Sequence, residues 1–126
     1  MTSKKTILIA EDNDSNFKLV NDILQSYGYN VIAARDGEEA INKIKENYKA
    51  IDLILMDIQL PKINGLDAIK IIKENDSTKD IPIFVVSAHA MAQDIEKAKQ
   101  AGCVEYITKP IKLVEFIQKI NNYLKP

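Results

Sequence analysis

Cysteine, glycine, proline and tryptophan are scarce in this chain. Its 126 residues include one cysteine, four glycines, four prolines and no tryptophan. Because Cys103 is the single cysteine, a disulfide framework within the chain is excluded, and we expect the protein to work in a reducing cytoplasm. The glycines are scattered along the chain, which excludes a glycine-rich phosphate-binding loop.

A large excess of one charge and a long hydrophobic run are also lacking. The formal net charge is −1, so the composition gives no basic surface of the kind that nucleic acid or an anionic membrane attracts. No apolar run approaches the length of a membrane span, and the run that follows residues 1–5 is too short for a signal peptide. We therefore expect a protein that binds neither nucleic acid nor membrane.

Hydrophobic residues are plentiful, at 46% of the chain, and 126 residues suffice to bury one core. The lack of a long linker, low-complexity tract or internal repeat predicts one compact unit from Thr6 to Leu124. Several short apolar runs predict β-strands: Thr6–Ala10, Asn30–Ala34, Leu53–Met56, Ile83–Val86 and Val104–Thr108. Most are near-continuous Ile, Leu and Val, which is typical of parallel strands buried on both faces.

Segments with helical spacing lie between these runs. The first predicted helix has one apolar face, formed by Phe17, Val20, Leu24 and Tyr27. We expect Asp14 or Ser15 to cap its start and Gly28 to end it. The later helices are predicted after Asp36-Gly37, from Gly65 to Asn75, around Met91, Ile95 and Ala98, and along Leu113, Phe116, Ile117, Ile120 and Leu124. The repeated βα order predicts an open parallel sheet with helices on both faces.

Most of the predicted strands end in a polar group. These groups are Glu11-Asp12 after the first strand, Asp57 after the third, Ser87 after the fourth and Lys109-Pro110 after the fifth. The second strand ends in alanines, before Arg35. In open α/β sheets, ligands bind beyond the carboxyl ends of the strands, where the strand order reverses. With the strand order 2-1-3-4-5, the polar ends would meet at one crevice.

The residues at this crevice suggest phosphoryl chemistry. Glu11, Asp12 and Asp57 would repel one another, so either their proton affinities rise or a cation joins them. Mg2+ is the natural cation, because it prefers oxygen ligands, keeps several waters and accepts phosphate oxygens. Lys109 adds a positive charge and Ser87 a hydroxyl donor, and such a set would stabilise a transferring phosphoryl group. Asp57 is the central candidate for a carboxylate nucleophile, since its strand would lie between the others.

With these residues the chain resembles the CheY-like receiver domain of two-component response regulators, over essentially its whole length. The landmarks are "LIAEDN", "LILMDIQLPKING", "VVSAHAM" and "YITKPI". Each is weak alone, but the four in this order are highly specific. "MDIQLP", "SAHAM", "AGC" and "YITKPI" look most similar to stand-alone DivK-type regulators and to receivers of hybrid kinases. The resemblance implies one receiver domain over residues 1–126, with the flavodoxin-like (βα)5 fold and a doubly wound parallel sheet of order 2-1-3-4-5.

The resemblance also implies a role for each site residue. Asp57 would accept phosphate from a phosphohistidine on a partner protein. Asp12, Asp57 and the backbone carbonyl of Gln59 would ligate Mg2+, or Mn2+ as a substitute, and Glu11 would act mainly through water. Asp57, Lys109 and Ser87 would form the catalytic set, in which Lys109 pairs with the phosphoryl oxygens. Lys109-Pro110 would be a cis peptide bond, which proline alone tolerates cheaply.

Ser87 and Tyr106 would form the switch that the resemblance implies. Ser87 would move to hydrogen-bond the phosphoryl group and Tyr106 would move inward behind it, which couples phosphorylation to the surface of the fourth helix, fifth strand and fifth helix. The family more often has threonine at position 87; serine keeps the hydroxyl and lacks the methyl group. Gln59 and His89 occupy positions that tune dephosphorylation in the family, and we expect His89 to be an exposed loop residue.

A sensor histidine kinase or a histidine phosphotransfer protein is the implied phosphoryl donor. No output domain follows Pro126 in this sequence, so we expect the domain itself to contact a downstream protein or to pass the phosphoryl group onward. It would do so as a monomer or as a phosphorylation-dependent dimer. It would be a phosphoacceptor that assists its own phosphorylation and dephosphorylation, and not an enzyme.

Other functions fit the sequence less well. An aspartyl phosphatase or phosphotransferase of the haloacid-dehalogenase type needs a second aspartate two residues after the nucleophile, where this chain has Gln59. A nucleotide-binding flavodoxin or Rossmann relative needs a glycine-rich loop that the sequence lacks. A degenerate receiver that only scaffolds is disfavoured by the full set of acids, hydroxyl and lysine. The sequence therefore predicts a phosphorylatable switch that signals by protein contact.

Overall fold

The computed structural model describes residues 4–88 and 91–124, in which strands and helices alternate. The strands are β1 (Thr6–Ala10), β2 (Asn30–Ala34), β3 (Leu53–Met56), β4 (Ile83–Ser87) and β5 (Glu105–Thr108). The helices are α1 (Asp14–Ser26), α2 (Gly37–Asn47), α3 (Gly65–Glu74), α4 (Ala92–Ala101) and α5 (Leu113–Tyr123). This order confirms the predicted βα alternation.

The strands form one parallel sheet in the order β2-β1-β3-β4-β5. Ile9 of β1 pairs with Ala33 of β2 on one side and with Leu55 of β3 on the other. The chain therefore winds outward in opposite directions from β1, and the strand order reverses between β1 and β3. This confirms the predicted flavodoxin-like fold and puts the ligand-binding crevice at the carboxyl ends of these two strands.

The sheet is buried on both faces, as the near-continuous apolar runs indicate. Leu8 packs into one core cluster while its neighbours Ile7 and Ile9 pack into the other, and none of them is more than 3% exposed. Helices α2, α3 and α4 cover the first face, and α1 and α5 cover the second, with core residues that include Ile44, Ile69, Ala98, Leu24 and Phe116. Each fully buried Leu or Ile stabilises the fold by roughly 1.5–3 kcal/mol. Both helix layers therefore pack against the sheet whose carboxyl edge carries the predicted site residues.

Gly28, with φ +88°, directly follows the C-cap Tyr27 and ends α1 as predicted, whereas the start of the helix differs in detail. Its N-cap is Asn13, and not Asp14 or Ser15: the Asn13 side chain accepts the Asn16 N–H at 2.9 Å. Asp14 is the first helical residue, where its negative charge interacts favourably with the positive end of the helix dipole. Tyr27 lies just past the helix and is 54% exposed, so the prediction that it shares the buried face was wrong.

The other boundaries agree with the prediction to within one or two residues. Strand β4 continues one residue further than predicted, to Ser87. Strand β5 begins one residue later than predicted, at Glu105, and Val104 before it is 36% exposed. Met91, which was predicted to lie in the fourth helix, is the N-cap of α4 and is 63% exposed. Leu113 is also 45% exposed, although the rest of the predicted α5 face is buried.

The helices are short and amphipathic. The longest in the described part of the chain, α1, has 13 residues, whereas a membrane-spanning helix needs about 20. Within residues 4–88 and 91–124, no helix could therefore cross a bilayer.

Candidate functional site

An acidic cluster lies at the carboxyl edge of the sheet. Glu11 and Asp12 follow β1 directly and Asp57 follows β3, and the pairing of β1 with β3 brings the carboxylates together. One carboxylate oxygen of each residue lies within 4.8 Å of the others. Glu11 and Asp57 are only 6% and 8% exposed, whereas Asp12 faces solvent. The acids that the sequence predicted to converge are thus neighbours.

Lys109, in the loop after β5, reaches into this cluster. Its Nζ donates to Oε1 of Glu11 at 2.7 Å and to Oδ2 of Asp57 at 3.1 Å, and its side chain is 18% exposed. Opposite charges at this separation offset much of the cost of burying the carboxylates. The lysine therefore reduces the repulsion within the cluster and ties three strand ends together.

Burial shifts the proton equilibria of this ion pair. Burial raises the pKa of the Glu11 carboxyl, and the Asp57 charge adds to this, although hydrogen bonds from Lys109 and the Asn13 backbone oppose it. For Lys109, burial favours the neutral amine, but hydrogen bonds to Glu11 and Asp57 outweigh it and the pKa is raised. Lys109 is therefore held in its charged form, while Glu11 keeps its proton to a higher pH than a free glutamate does.

Asp57 is fixed by its backbone and by both carboxylate oxygens. Its N–H donates to the Ala10 carbonyl at 3.1 Å, which extends the pairing of β3 with β1. Its Oδ1 accepts the Gln59 backbone N–H at 2.9 Å, and its Oδ2 accepts Lys109. Gly65 lies so close that an added Cβ would be 2.3 Å from the Asp57 carbonyl oxygen, which a larger residue could not tolerate. The carboxylate is thus held in one orientation at the sheet edge.

Ser87 and Tyr106 adjoin the site on the next strands. Ser87 ends β4 and is 1% exposed, and Tyr106 lies half-buried on the edge strand β5. A hydrogen bond between them lowers the pKa of Tyr106, but burial has the larger effect and raises it. The Lys109 N–H donates to the Ser87 carbonyl at 2.9 Å, and the Lys109-Pro110 peptide is cis, as predicted. The serine thus contacts both the tyrosine and the loop that carries the lysine.

The end of β2 also lies at this edge of the sheet, although no role in the site was predicted for it. Arg35 follows β2, and its Nε donates to the Glu11 carbonyl oxygen at 3.0 Å. A signal was present in the sequence, because a residue directly after β2 must lie beside Glu11 once β2 pairs with β1. His89, predicted to be an exposed loop residue, lies outside the described residues.

The donor set of this edge fits a hard divalent cation such as Mg2+. Glu11, Asp12 and Asp57 offer carboxylate oxygens, which Mg2+ prefers over sulfur or imidazole ligands. Asp12 and Gln59 are exposed, so a cation bound beside them would keep waters and could accept phosphate oxygens. A carboxylate paired with a charged lysine, and a hydroxyl at the end of the neighbouring strand, are groups that phosphoryl transfer can use.

Comparison with known sequences gives a family. The model of the response regulator receiver domain matches residues 7–121. The chain is also similar to the polar-differentiation response regulator DivK of Brucella anthropi, with 44% identity over 120 residues, which cover 95% of this chain and 96% of that protein. The similarity thus extends over nearly the full length of both proteins.

Solved structures show the same architecture. The receiver domain of the sensor histidine kinase PA1611 from Pseudomonas aeruginosa, with a magnesium ion coordinated in its active-site cleft, has a TM-score of 0.89 and 31% identity, covering 98% of this chain and 100% of that chain. A chain of the CheX-CheY-BeF3-Mg2+ complex from Borrelia burgdorferi has a TM-score of 0.89 and 30% identity, covering 97% of this chain and 90% of that chain. The protein therefore belongs to the response regulator receiver domains, the phosphorylation-dependent signalling switches of two-component systems.

Proposed function

We propose that Asp57 is the phosphoacceptor of this receiver domain, and that a phosphohistidine on a sensor histidine kinase or histidine phosphotransfer protein is the donor. The observation that carries this proposal is the fixed position of Asp57 between two acids and a lysine at the strand-order reversal. Asp57 is 8% exposed, with Lys109 Nζ at 3.1 Å from Oδ2 and the Gln59 N–H on Oδ1. A carboxylate fixed in this way needs little reorganisation to react.

The proposed transfer is a displacement at phosphorus. A carboxylate oxygen of Asp57 forms the new O–P bond, and the P–N bond of the phosphohistidine breaks. The imidazole nitrogen keeps the bonding electron pair and takes up a proton. Lys109, whose raised pKa keeps it charged, pairs with the phosphoryl oxygens as negative charge accumulates on them. Hydrolysis of the acyl phosphate later passes the phosphoryl group to water and restores the carboxylate.

Mg2+, with Mn2+ as a substitute, is the cofactor that we propose. Its ligands would be the Asp12 and Asp57 carboxylates and the Gln59 backbone carbonyl, while Glu11 would act through water. The exposure of Asp12 supports a direct ligand there. The Glu11 oxygens accept hydrogen bonds from Lys109 at 2.7 Å and from the Asn13 N–H at 3.2 Å, and its indirect role is carried over from the family resemblance. When bound, the cation supplies positive charge that offsets the charge of the phosphoryl oxygens.

Ser87 and Tyr106 are the proposed switch. Ser87 ends β4, the strand paired with β3, and its hydroxyl would turn from Tyr106 to a phosphoryl oxygen, so that its contact with Tyr106 would change. The surface formed by α4, β5 and α5, around Tyr106 and the Pro110 loop, would report this change to a downstream protein. Exposed apolar side chains near it, Val104 and Val114 at 36% and 69%, support a protein partner.

The remaining parts of the proposal follow from this role. Residues 1–126 form one receiver domain that acts in the cytoplasm, as a monomer or a phosphorylation-dependent dimer. It serves as a phosphoacceptor that assists its own phosphorylation and dephosphorylation, and is not itself an enzyme. Its net charge of −1 supports partners that are proteins, with no role for nucleic acid or membrane.

Incubation with acetyl phosphate and Mg2+, followed by mass spectrometry of the intact protein, tests the assignment. The wild type is expected to gain one phosphoryl group, and Asp57→Asn none. Asp67→Asn is the matched control and should be labelled like the wild type, because Asp67 is an exposed carboxylate on α3 whose one side-chain partner among the described residues is Asn64, at 3.0 Å. Full labelling of Asp57→Asn at another residue would overturn the proposal.

A further inference from the structure

The end of β2 carries the one arginine of the sequence, Arg35. Strand β2 pairs in register with β1, with Ala34 opposite Ala10, and the Glu11 N–H extends this pairing by donating to the Ala34 carbonyl at 3.0 Å. Arg35 therefore starts beside the loop between β1 and α1. Its backbone is held from α2, where Oε1 of Glu39 accepts the Arg35 N–H at 2.8 Å.

The guanidinium group of Arg35 reaches across this loop. Its Nε donates to the carbonyl oxygen of Glu11 at 3.0 Å, and its Nη2 donates to the carbonyl oxygen of Asp12 at 3.2 Å. The same nitrogen pairs with the Asp14 carboxylate, and the cation lies 5.2 Å from the centre of the Phe17 ring. One rigid planar group thus binds two consecutive carbonyls and the first turn of α1, which the single ammonium of a lysine could not reproduce.

We propose that Arg35 is a positioning residue that holds the Glu11 and Asp12 backbone and thereby sets the cation affinity of the site. This inference rests on the proposed function. The two residues whose carbonyls it binds are those whose carboxylates join Asp57 in the acidic cluster. Like charges would otherwise push these carboxylates apart, toward solvent. Fixing the backbone keeps their oxygens together before a cation arrives, as the outer partners of metal ligands do.

Charge and geometry predict opposite effects when Arg35 is replaced. A positive charge beside a cation site repels the cation, so charge alone predicts tighter Mg2+ binding for Arg35→Ala. Loss of the carbonyl contacts frees the loop, which predicts weaker binding. Arg35→Lys keeps the charge but not the paired contacts, so geometry predicts weaker binding for this variant as well, whereas charge alone predicts binding like the wild type.

Lys43 offers a matched control for the charge. It pairs with Glu39 at 3.5 Å and donates to the Ala33 carbonyl, so its contacts lie on α2 and β2 rather than on the loop after β1. Lys43→Ala therefore removes one positive charge from the same region of the protein and one partner of Glu39, which keeps the Arg35 N–H, and it leaves the Arg35 contacts with the Glu11 and Asp12 carbonyls in place.

The first test is a Mg2+ titration of the full chain, followed by NMR amide shifts. Arg35→Ala and Arg35→Lys are expected to raise the Kd for Mg2+ by about tenfold or more, the usual effect of removing an outer partner of a metal ligand. Lys43→Ala should stay within about twofold of the wild type. Unchanged or tighter binding by both Arg35 variants would overturn the proposal, and if Arg35→Ala does not fold, Arg35→Lys decides alone.

The second test needs no metal. In chelator, hydrogen exchange of the amides of residues 11–14 is expected to be about tenfold faster or more in Arg35→Lys than in the wild type, with unchanged exchange in the β4 strand. Equal exchange in the loop would overturn the proposal. If the wild type itself binds no Mg2+, the proposed function fails, and the exchange rates still decide whether Arg35 holds this loop.

Discussion

Nζ of Lys109 lies 2.7 Å from Oε1 of Glu11, a residue 98 positions away in the sequence. This hydrogen bond joins the end of the last strand to the end of the first. Lys109 also reaches Asp57, so one ammonium group partly neutralises two buried carboxylates. The acidic cluster is therefore compatible with a stable fold before any cation binds, which makes the lysine a structural element as well as a candidate partner of the phosphoryl group.

Lys109→Ala should lower the free energy of unfolding in chelator. Removal of one partner from a buried ion pair leaves unpaired charge, and because Lys109 is 18% exposed we expect a loss of about 2–3 kcal/mol. Mg2+ should restore part of this loss, since a cation can replace the missing charge among the carboxylates. Urea unfolding with and without Mg2+ measures both effects.

Lys119→Ala is the matched control for this variant. Lys119 forms an ion pair with Glu105 at 3.2 Å, but its side chain is 43% exposed. Such a pair contributes about 0.2–1 kcal/mol, so its loss should be small and insensitive to Mg2+. Complete loss of Mg2+ binding in Lys109→Ala would contradict the role that we give to Lys109, because the proposed ligands do not include it.

The pKa of Glu11 predicts a pH dependence. Burial raises this pKa in the folded protein, so the folded state holds the proton to a higher pH than the unfolded chain does. The contribution of Glu11 to stability is therefore complete below its unfolded pKa and is lost as the pH rises through its folded pKa. Unfolding measured in chelator at increasing pH, from below the ordinary glutamate pKa upward, should show this loss, and Glu11→Gln should not show it.

Mg2+ binding should have the opposite pH dependence. A cation among the three acids competes with the proton that Glu11 holds, so Mg2+ affinity should rise with pH over the same range. The rise should be shallower in Glu11→Gln, which has no proton to release there. Calorimetric titration at several pH values provides the measurement, and an affinity for Mg2+ that falls with rising pH would contradict the proposed arrangement.

The sequence predicted the strands and the meeting of the site residues well, for a physical reason. Strands buried on both faces must be continuously apolar, so β1 and β3 are visible as runs that stop abruptly at Glu11 and Asp57. Once the order of the strands is known, parallel pairing fixes which strand ends are neighbours. The convergence of the acids therefore follows from local patterns and one topological rule.

Side-chain contacts between distant segments could not be predicted in this way. The hydrogen bonds of Arg35 to two carbonyls depend on the exact register of β2 and on the path of the loop before α1. The exposure of Tyr27 depends on where α1 ends, which apolar spacing alone does not give. The cap at Asn13 was missed because three neighbouring polar residues can all cap a helix, and only the backbone geometry distinguishes them.

Gly37→Ala should impair the site from a distance. Gly37 begins α2 and lies against the loop that follows Asp57: its N–H donates to the Pro61 carbonyl at 3.1 Å, and an added Cβ would lie 1.8 Å from the Ile63 carbonyl oxygen. The loop must move to accept a methyl group. We expect a loss of stability of about 1–3 kcal/mol and slower phosphoryl uptake at Asp57, measured by unfolding and by acetyl phosphate labelling.

Gly28→Ala separates this effect from a simple loss of stability. Gly28 has φ +88°, so alanine there is strained by about 1–2 kcal/mol. Apart from Gly28 and its two chain neighbours, no atom of the described structure lies within 4 Å of the added Cβ, and the residue is at the far end of α1. Gly28→Ala should therefore take up the phosphoryl group at the wild-type rate, although it loses about as much stability as Gly37→Ala. Equal slowing in both variants would show that the loop after Asp57 is not the cause.

Ser87→Ala should uncouple the site from β5 while leaving Asp57 able to react. Ser87 is 1% exposed and hydrogen-bonds to Tyr106, so its hydroxyl is the contact through which a group on Asp57 could affect that strand. In the wild type, beryllofluoride with Mg2+, an analogue of the phosphoryl group, should shift the amide resonances of Tyr106 and its neighbours. Ser87→Ala should lose most of these shifts and Ser87→Thr should keep them, because threonine retains the hydroxyl. Wild-type shifts in Ser87→Ala would show that another path connects Asp57 to β5.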